Sequence, residues 1–409
     1  MKNPSQLLEE VYKRSMEALE IVHKHIHITP IDRSRTFSSM SNCEVYLKYE
    51  NLQKTGAFKV RGALYKVYKL SRQGIKGVVA ASAGNHAQGV AYAAKALGMR
   101  AVIVMPLSAS IAKVEATRGY GAEVVLYGEV YDDAEAKARE IAQENNLAFV
   151  HPFDDIDVMA GQATIAWELF NQLNDFDAVI VPIGGGGLAS GILSVVRKVK
   201  PSIRVIGVEP SNAPKMLESL RRRAPTMIEP RPSLADGLVT KKPGEFTFTI
   251  ISNYIDDIVT VGEDEIALAI HLLLERAKVL AEGAGAAALA ALISGKIKLD
   301  RKRVVVLVTG GNIDLTALYR VIIKGLLGQE RIAKFRGFIP DVPGALYKVL
   351  SIIAKYRGNI IDIKHDRYDF KALPWHATVE ILVEVPSKTA SRKILEELQK
   401  KNLNFELIE

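Results

Sequence analysis

The run Ala178 Val179 Ile180 Val181 Pro182 Ile183 Gly184 Gly185 Gly186 Gly187 Leu188 places an unbroken apolar segment directly ahead of four glycines. β-Branched residues without polar alternation describe a strand buried on both faces, the habit of parallel sheets covered by helices. The glycines let backbone amides approach a ligand closely, and a helix starting near Leu188 would aim its N-terminal partial charge at an anion. The spacing is not that of a dinucleotide fingerprint. Nor is it a Walker loop, which needs Lys followed by Ser or Thr. Four glycines also suit a structural crossing or a flexible turn, so the loop alone leaves both readings open.

Outward from this run the same rhythm repeats. Apolar strands are expected over residues 45–48, 77–80, 101–105, 122–126, 148–151, 204–209 and 303–308, and helices over 86–97 and near 109–120. A first helix over 5–26 would present Leu8, Val11, Met16, Leu19 and Val22 on one face. The alternation predicts an α/β fold with two intertwined, parallel-sheet-rich lobes within residues 1–329. Residues 330–409 differ: strand, helix, two strands, helix and strand give the order βαββαβ of a small ferredoxin-like domain.

Composition narrows the function. A chain of 409 residues with 48% hydrophobic content supports more than one core. The net charge of +8 is spread among interspersed acidic residues without a basic-aromatic stripe, so no nucleic acid partner is expected. The N-terminus lacks a signal-like pattern, and apolar runs such as 304–308 and 381–385 are too short to span a bilayer; no membrane association and a cytoplasmic location are expected. The single cysteine, Cys43, excludes an intrachain disulfide and a multi-cysteine metal site, and reads as packing. No dense cluster of metal-ligating side chains stands out, so no metal is expected.

A second segment carries chemistry: Lys48 Tyr49 Glu50 Asn51 Leu52 Gln53 Lys54 Thr55 Gly56 Ala57 Phe58 Lys59 Val60 Arg61 Gly62 Ala63. Lys59 follows a Thr55-Gly56 turn and falls in the first turn of a helix. By itself it is an ordinary surface lysine. A lysine whose surroundings lower its pKa can form a Schiff base, and together with a phosphate loop it would complete a pyridoxal phosphate (PLP) site. Thr309 Gly310 Gly311 Asn312 follows the strand at 303–308, and its hydroxyl could bond a neutral pyridine nitrogen.

Taken with Ser82 Ala83 Gly84 Asn85 His86 Ala87 Gln88 Gly89, these four ordered regions resemble the threonine/serine dehydratase branch of the fold type II, tryptophan synthase β-like PLP enzymes. The resemblance implies that Lys59 holds the cofactor covalently, with Phe58 beside its ring and Asn85 on its 3′-oxygen. It implies a phosphate cup of Gly184, Gly185, Gly186, Gly187 and Leu188, and Thr309 as partner of the pyridine nitrogen, where many relatives carry serine or cysteine. Ser82, Ala83, Gly84, Asn85 and His86 become the substrate-carboxylate loop, with Ala83 in place of a common serine. Before the resemblance, His86 reads first as a structural histidine at a helix start and only second as a catalytic one; with it, His86 is a binding-loop residue and not the principal base. Glu282 Gly283 Ala284 Gly285 Ala286 is similar to the family's Glu-Pro-Ala-Gly-Ala segment, and glycine in place of proline is expected to relax the turn. Asp236 aligns with a loop near the active centre; it and Glu282 serve as active-site support or as loop stabilisers.

The implied reaction is elimination from a β-hydroxy amino acid: L-threonine gives 2-oxobutanoate and ammonia, and L-serine gives pyruvate. Released Lys59 would take the α-proton, and the cofactor phosphate would assist departure of the hydroxyl. Serine/threonine racemisation, β-replacement and a noncatalytic amino-acid sensor are the competing readings. Ala83 disfavours racemisation, because it lacks the hydroxyl of an opposite-face acid. The C-terminal unit resembles an ACT regulatory domain, with Gly344 and Asn359 as effector-binding residues for isoleucine or valine; structural dimerisation is its alternative, and the whole is expected to be a homodimer or homotetramer. In the segment Glu209 to Lys215, some relatives bind a divalent metal. Lys215 here stands where an acidic ligand belongs.

Overall fold

The computed structural model describes residues 3–408, which divide into two compact units, Met1–Asp314 and Leu315–Glu409. The helix Leu315–Gly328 falls in the second unit, where it packs against the first strand of the C-terminal sheet.

The described strands of the first unit are β1 (Ile31–Arg33), β2 (Glu44–Tyr49), β3 (Gly77–Ala81), β4 (Arg100–Met105), β5 (Glu123–Leu126), β6 (Ala148–Phe149), β7 (Ala178–Pro182), β8 (Arg204–Pro210), β9 (Asp257–Val261) and β10 (Arg303–Val308). They form a six-stranded sheet ordered β1-β2-β10-β7-β8-β9 and a four-stranded sheet ordered β5-β4-β3-β6. Every pairing is parallel except that of the edge strand β1 with β2. The apolar runs behave as their composition requires: all five residues of β7, and Val304 to Val308 of β10, are buried, since helices cover both faces. One continuous core joins the sheets, with Val78 and Ile103 from the smaller and Val179 and Val305 from the larger packed around the helices Lys59–Arg72 and Ile156–Gln172.

Two local expectations change. The first helix runs Pro4–Val22, and His23 turns off it to bond Glu168. Its buried face is Leu7, Leu8, Val11, Ser15, Ala18, Ile21 and Val22, with Met16 exposed. The small Ser15 takes the inward position because its hydroxyl bonds the Tyr12 carbonyl and it accepts from the Trp167 indole.

The second unit contains β11 (Ile332–Pro340), β12 (Asn359–Asp366), β13 (His376–Glu384) and β14 (Asn404–Ile408) in the antiparallel order β12-β13-β11-β14. The helices Ala345–Lys355 and Lys388–Lys400 complete the βαββαβ order. Phe335, Val379, Ile381 and Val383 meet Val349, Ile353, Ile394 and Leu398 in its core. Gly344 sits at φ +84°, the left-handed region where glycine is free of Cβ strain, and opens the first of these helices.

Candidate active site

Ligands in open parallel sheets gather beyond the carboxyl ends of the strands. Here Ser82 to Asn85 follow β3, His151 to Phe153 follow β6, the four glycines follow β7 and Thr309 follows β10. Together they wall a cavity of about 690 Å³. Every residue of the first unit singled out above for binding or catalysis, from Phe58 through Asp236 and Glu282 to Thr309, lines it. Gly344 and Asn359 belong to the second unit.

Lys59 opens its helix, and that helix is fixed from behind. Arg61, fully buried, bonds Glu50 at 2.7 and 2.8 Å and Glu168 at 2.6 and 3.0 Å. Lys48 also reaches Glu168, and Thr29 bonds Glu50, so each buried charge is paired. Burial opposes ionisation of Glu168, but the His23 and Arg61 hydrogen bonds hold its carboxyl well below the usual range. Gly62 and Gly161 lie back to back; a Cβ on Gly161 would stand 2.6 Å from the Gly62 Cα. On the front, the Lys59 amine donates to the Pro152 carbonyl at 2.9 Å and lies 5.4 Å from the Phe58 ring centroid. Burial pulls this amine down to about 8, with the charge of Glu282 working in the opposite direction.

The glycine loop is shaped by contact as well as by freedom. A Cβ on Gly185 would sit 2.3 Å from the Phe153 ring, and Gly186 takes φ +99° with Thr247 2.8 Å from where its Cβ would be. Thr247 donates to the Gly185 carbonyl at 2.7 Å, which ties the loop to the helix Glu245–Tyr254. The helix Gly187–Val199 starts here, and its first N–H groups have no partner within the helix. Such a cradle suits a phosphate, and a buried lysine amine across the same cavity suits an aldehyde: the residues fit PLP.

On the other wall Asn85 donates to Glu282 at 2.6 Å and accepts from Asn312 at 2.8 Å, which also bonds the Thr55 carbonyl. Burial, then the charge of Asp236, pushes the Glu282 carboxyl up to about 7, while the Asn85 bond works against that. Asp236 itself is at the rim, paired with Lys113 at 3.0 Å. The Thr309 hydroxyl is buried and bonds the Ala284 carbonyl at 3.3 Å. His86 faces away from solvent with Nε2 on the Val150 carbonyl at 3.0 Å, and burial and the Lys59 charge push it down to about 3. It is a neutral prop for the loop, its single ring proton spent on the Val150 carbonyl, and carries no charge near neutrality. Ser82 accepts from the Gly84 amide at 3.1 Å and shapes the same loop.

A Cβ on Gly283 would fall 2.0 Å from the Leu234 carbonyl oxygen, so glycine at this position serves close backbone packing. Phe153, Thr247, Asn312 and Lys113 shape the site although the family resemblance assigns them no part. Asn312 was within a quoted motif and Phe153 lies at a strand's carboxyl end, but nothing local distinguishes Thr247 or Lys113. Cys43 is buried, with its thiol on the Leu299 carbonyl. Among the described residues there is no cluster of three or more His, Cys, Asp or Glu able to hold a metal, and no helix long and apolar enough to cross a membrane.

A lysine amine opposite a glycine cradle in a two-lobed parallel α/β unit defines a cofactor-dependent enzyme of the fold type II class. The family model described as "Pyridoxal-phosphate dependent enzyme" matches residues 22–310, and the chain belongs to that family. The L-threonine ammonia-lyase of Thermotoga maritima is 44% identical over 385 residues, covering 94% of this chain and 95% of its own. The processed form of threonine deaminase isoform 2 from Solanum lycopersicum superposes with a TM-score of 0.73 at 35% identity, covering 76% and 92% of the two chains. Serine racemase from Dictyostelium discoideum gives 0.70 at 37%, covering 74% and 98%.

Proposed function

We propose that the chain is a PLP-dependent threonine ammonia-lyase that converts L-threonine to 2-oxobutanoate and ammonia and also takes L-serine to pyruvate. The observation that carries the reading is the Lys59 amine, lowered to about 8 and facing the glycine loop across one cavity. Near-full-length identity to a threonine ammonia-lyase supports the substrate.

In this reading Lys59 would hold the cofactor through its amine and would serve as the base for the α-proton; an amine near 8 is close to the pH at which it must both lose and regain a proton. Bound PLP would supply the electron sink for that step. The amides of Gly184 to Leu188 would hold its phosphate, Phe58 would flank its ring, Asn85 would meet its 3′-oxygen and Thr309 its pyridine nitrogen. Ser82 to His86 would seat the substrate carboxylate on backbone amides. Phe153 and Thr247 keep the loop in place, and Glu282, neutral over part of the physiological range, orients Asn85.

Purified protein incubated with PLP and L-threonine or L-serine should release 2-oxo acid. Bound cofactor without 2-oxo acid from either substrate would reject this reading and leave the sensor. The likeness to serine racemase favours racemisation as the second reading, and product chirality in the same samples decides it; Ala83 offers no opposite-face hydroxyl.

The second unit is proposed to bind an amino-acid effector, isoleucine or valine, near Gly344 and Asn359, within a cytoplasmic homodimer or homotetramer. The open left-handed Gly344 at a helix start and the exposed Asn359 at the head of β12 support that location. Titrating the full chain with each amino acid while following activity tests it.

A further inference from the structure

Lys215 begins the helix Lys215–Arg222 and is entirely buried, yet it takes no part in the chemistry above. Its Nζ stands 2.9 Å from Glu209 Oε1, 2.8 Å from the Ile183 carbonyl, 2.9 Å from the Leu238 carbonyl and 3.4 Å from the Ala213 carbonyl. A neutral amine has two hydrogens and could not serve this shell of oxygens; an ammonium has three. Glu209 is held in turn by the amides of Met216 at 3.0 Å and Leu217 at 2.9 Å. The shell is an oxygen cage of the kind that hard cations occupy, filled by a cation the chain carries itself.

The cage ties together segments that shape the cavity. Ile183 immediately precedes the glycine loop, and Leu238 closes the short turn that begins at Asp236. The Gly237 carbonyl of that turn would lie 3.2 Å from a Cβ on Gly184. Fixing Ile183 and Leu238 to one charge therefore fixes the loop from below and from its rim.

We propose that the Lys215 ammonium is a positioning residue, a built-in cation that sets the glycine loop for phosphate, and that removing it leaves a site responsive to added small cations. The phosphate part rests on the functional reading above; the cation part does not. Lys215→Ala opens the cage, whereas Lys215→Met fills the space without charge.

The test is thermal unfolding of the cofactor-free proteins, and PLP affinity by titration, in ammonium, potassium or magnesium chloride against choline chloride of equal ionic strength. The expected result is that K215A, but neither wild type nor K215M, melts higher in a small cation. Both variants should bind PLP at least about tenfold more weakly than wild type, equivalent to about 1.4 kcal/mol, and the caged cation should restore affinity to K215A alone. A K215A protein blind to all three cations overturns the proposal, as does unchanged PLP affinity in either variant. If K215A does not fold, unchanged affinity in K215M still overturns it. Failure of wild type to bind PLP at all would instead reject the functional reading, and the melting comparison would stand apart from it.

Discussion

The side chain of Asn85, first residue of the helix after β3, donates to the Glu282 carboxyl at the head of the helix Gly283–Ile293. The bond joins the two sheets' contributions across the cavity, and it is made to a carboxyl pushed up to about 7. A raised carboxyl is most favourable to folding while protonated. Below the ordinary value of 4.5 both folded and unfolded chains carry the proton; between there and about 7 only the folded chain does, so stability falls with rising pH and levels off above 7. Glu282→Gln removes that loss: melting of the cofactor-free variant relative to wild type should rise from pH 4.5 to 7 and stay flat above. A pH-independent difference would reject the raised carboxyl.

Lys59→Ala should abolish the absorbance of covalently held cofactor and lower turnover by more than about 10³-fold, since a base and a covalent anchor are lost together. The fold should survive, because the amine's hydrogen bond is to one carbonyl, that of Pro152. Substantial 2-oxo acid production would refute the assignment.

Gly185→Ala forces a methyl into the Phe153 ring. Overpacking of this kind costs about 1–3 kcal/mol, and here it should appear as weaker PLP binding by roughly tenfold or more, read by cofactor titration. Phe153→Leu in the same background should recover part of it.

Arg61→Met leaves Glu50 and Glu168 buried with the guanidinium gone. Breaking such a network by removing one partner costs about 3–5 kcal/mol, measurable by urea denaturation. Because the low carboxyl of Glu168 is the depressed case, the wild-type contribution is present above its unfolded value and fades as pH falls through the folded one; the variant's deficit should shrink at acid pH.

The sequence exposed those parts of the fold whose cause is local. Strands such as β7 and β10 are legible because both faces are buried and every residue is apolar, and Lys59 is legible because a turn and a helix start place it. The helix Ile156–Gln172 and β9 are not legible in the same way, since a helix buried on nearly every side and a mixed edge strand give no strong period. The site's supports are non-local: Arg61 meets Glu168, Lys215 meets Ile183 and Leu238, and Gly283 meets Leu234, and no spacing in the chain announces a partner so far away. The substitution of glycine for proline at 283 is the clearest case, because its reason lies in another loop's carbonyl.

β10 lies between β2 and β7 in the larger sheet: Val304 pairs with both Val45 and Ala178. A nascent chain that has reached only β9 therefore carries two strands made early whose shared neighbour is still to be synthesised. Until Arg303–Val308 arrives, each offers an apolar, unpaired edge to any other chain nearby. Sealing that gap is a long-range closure, and contacts of high sequence separation form slowly, so assembly of this sheet should be the step at which the growing protein most needs a chaperone.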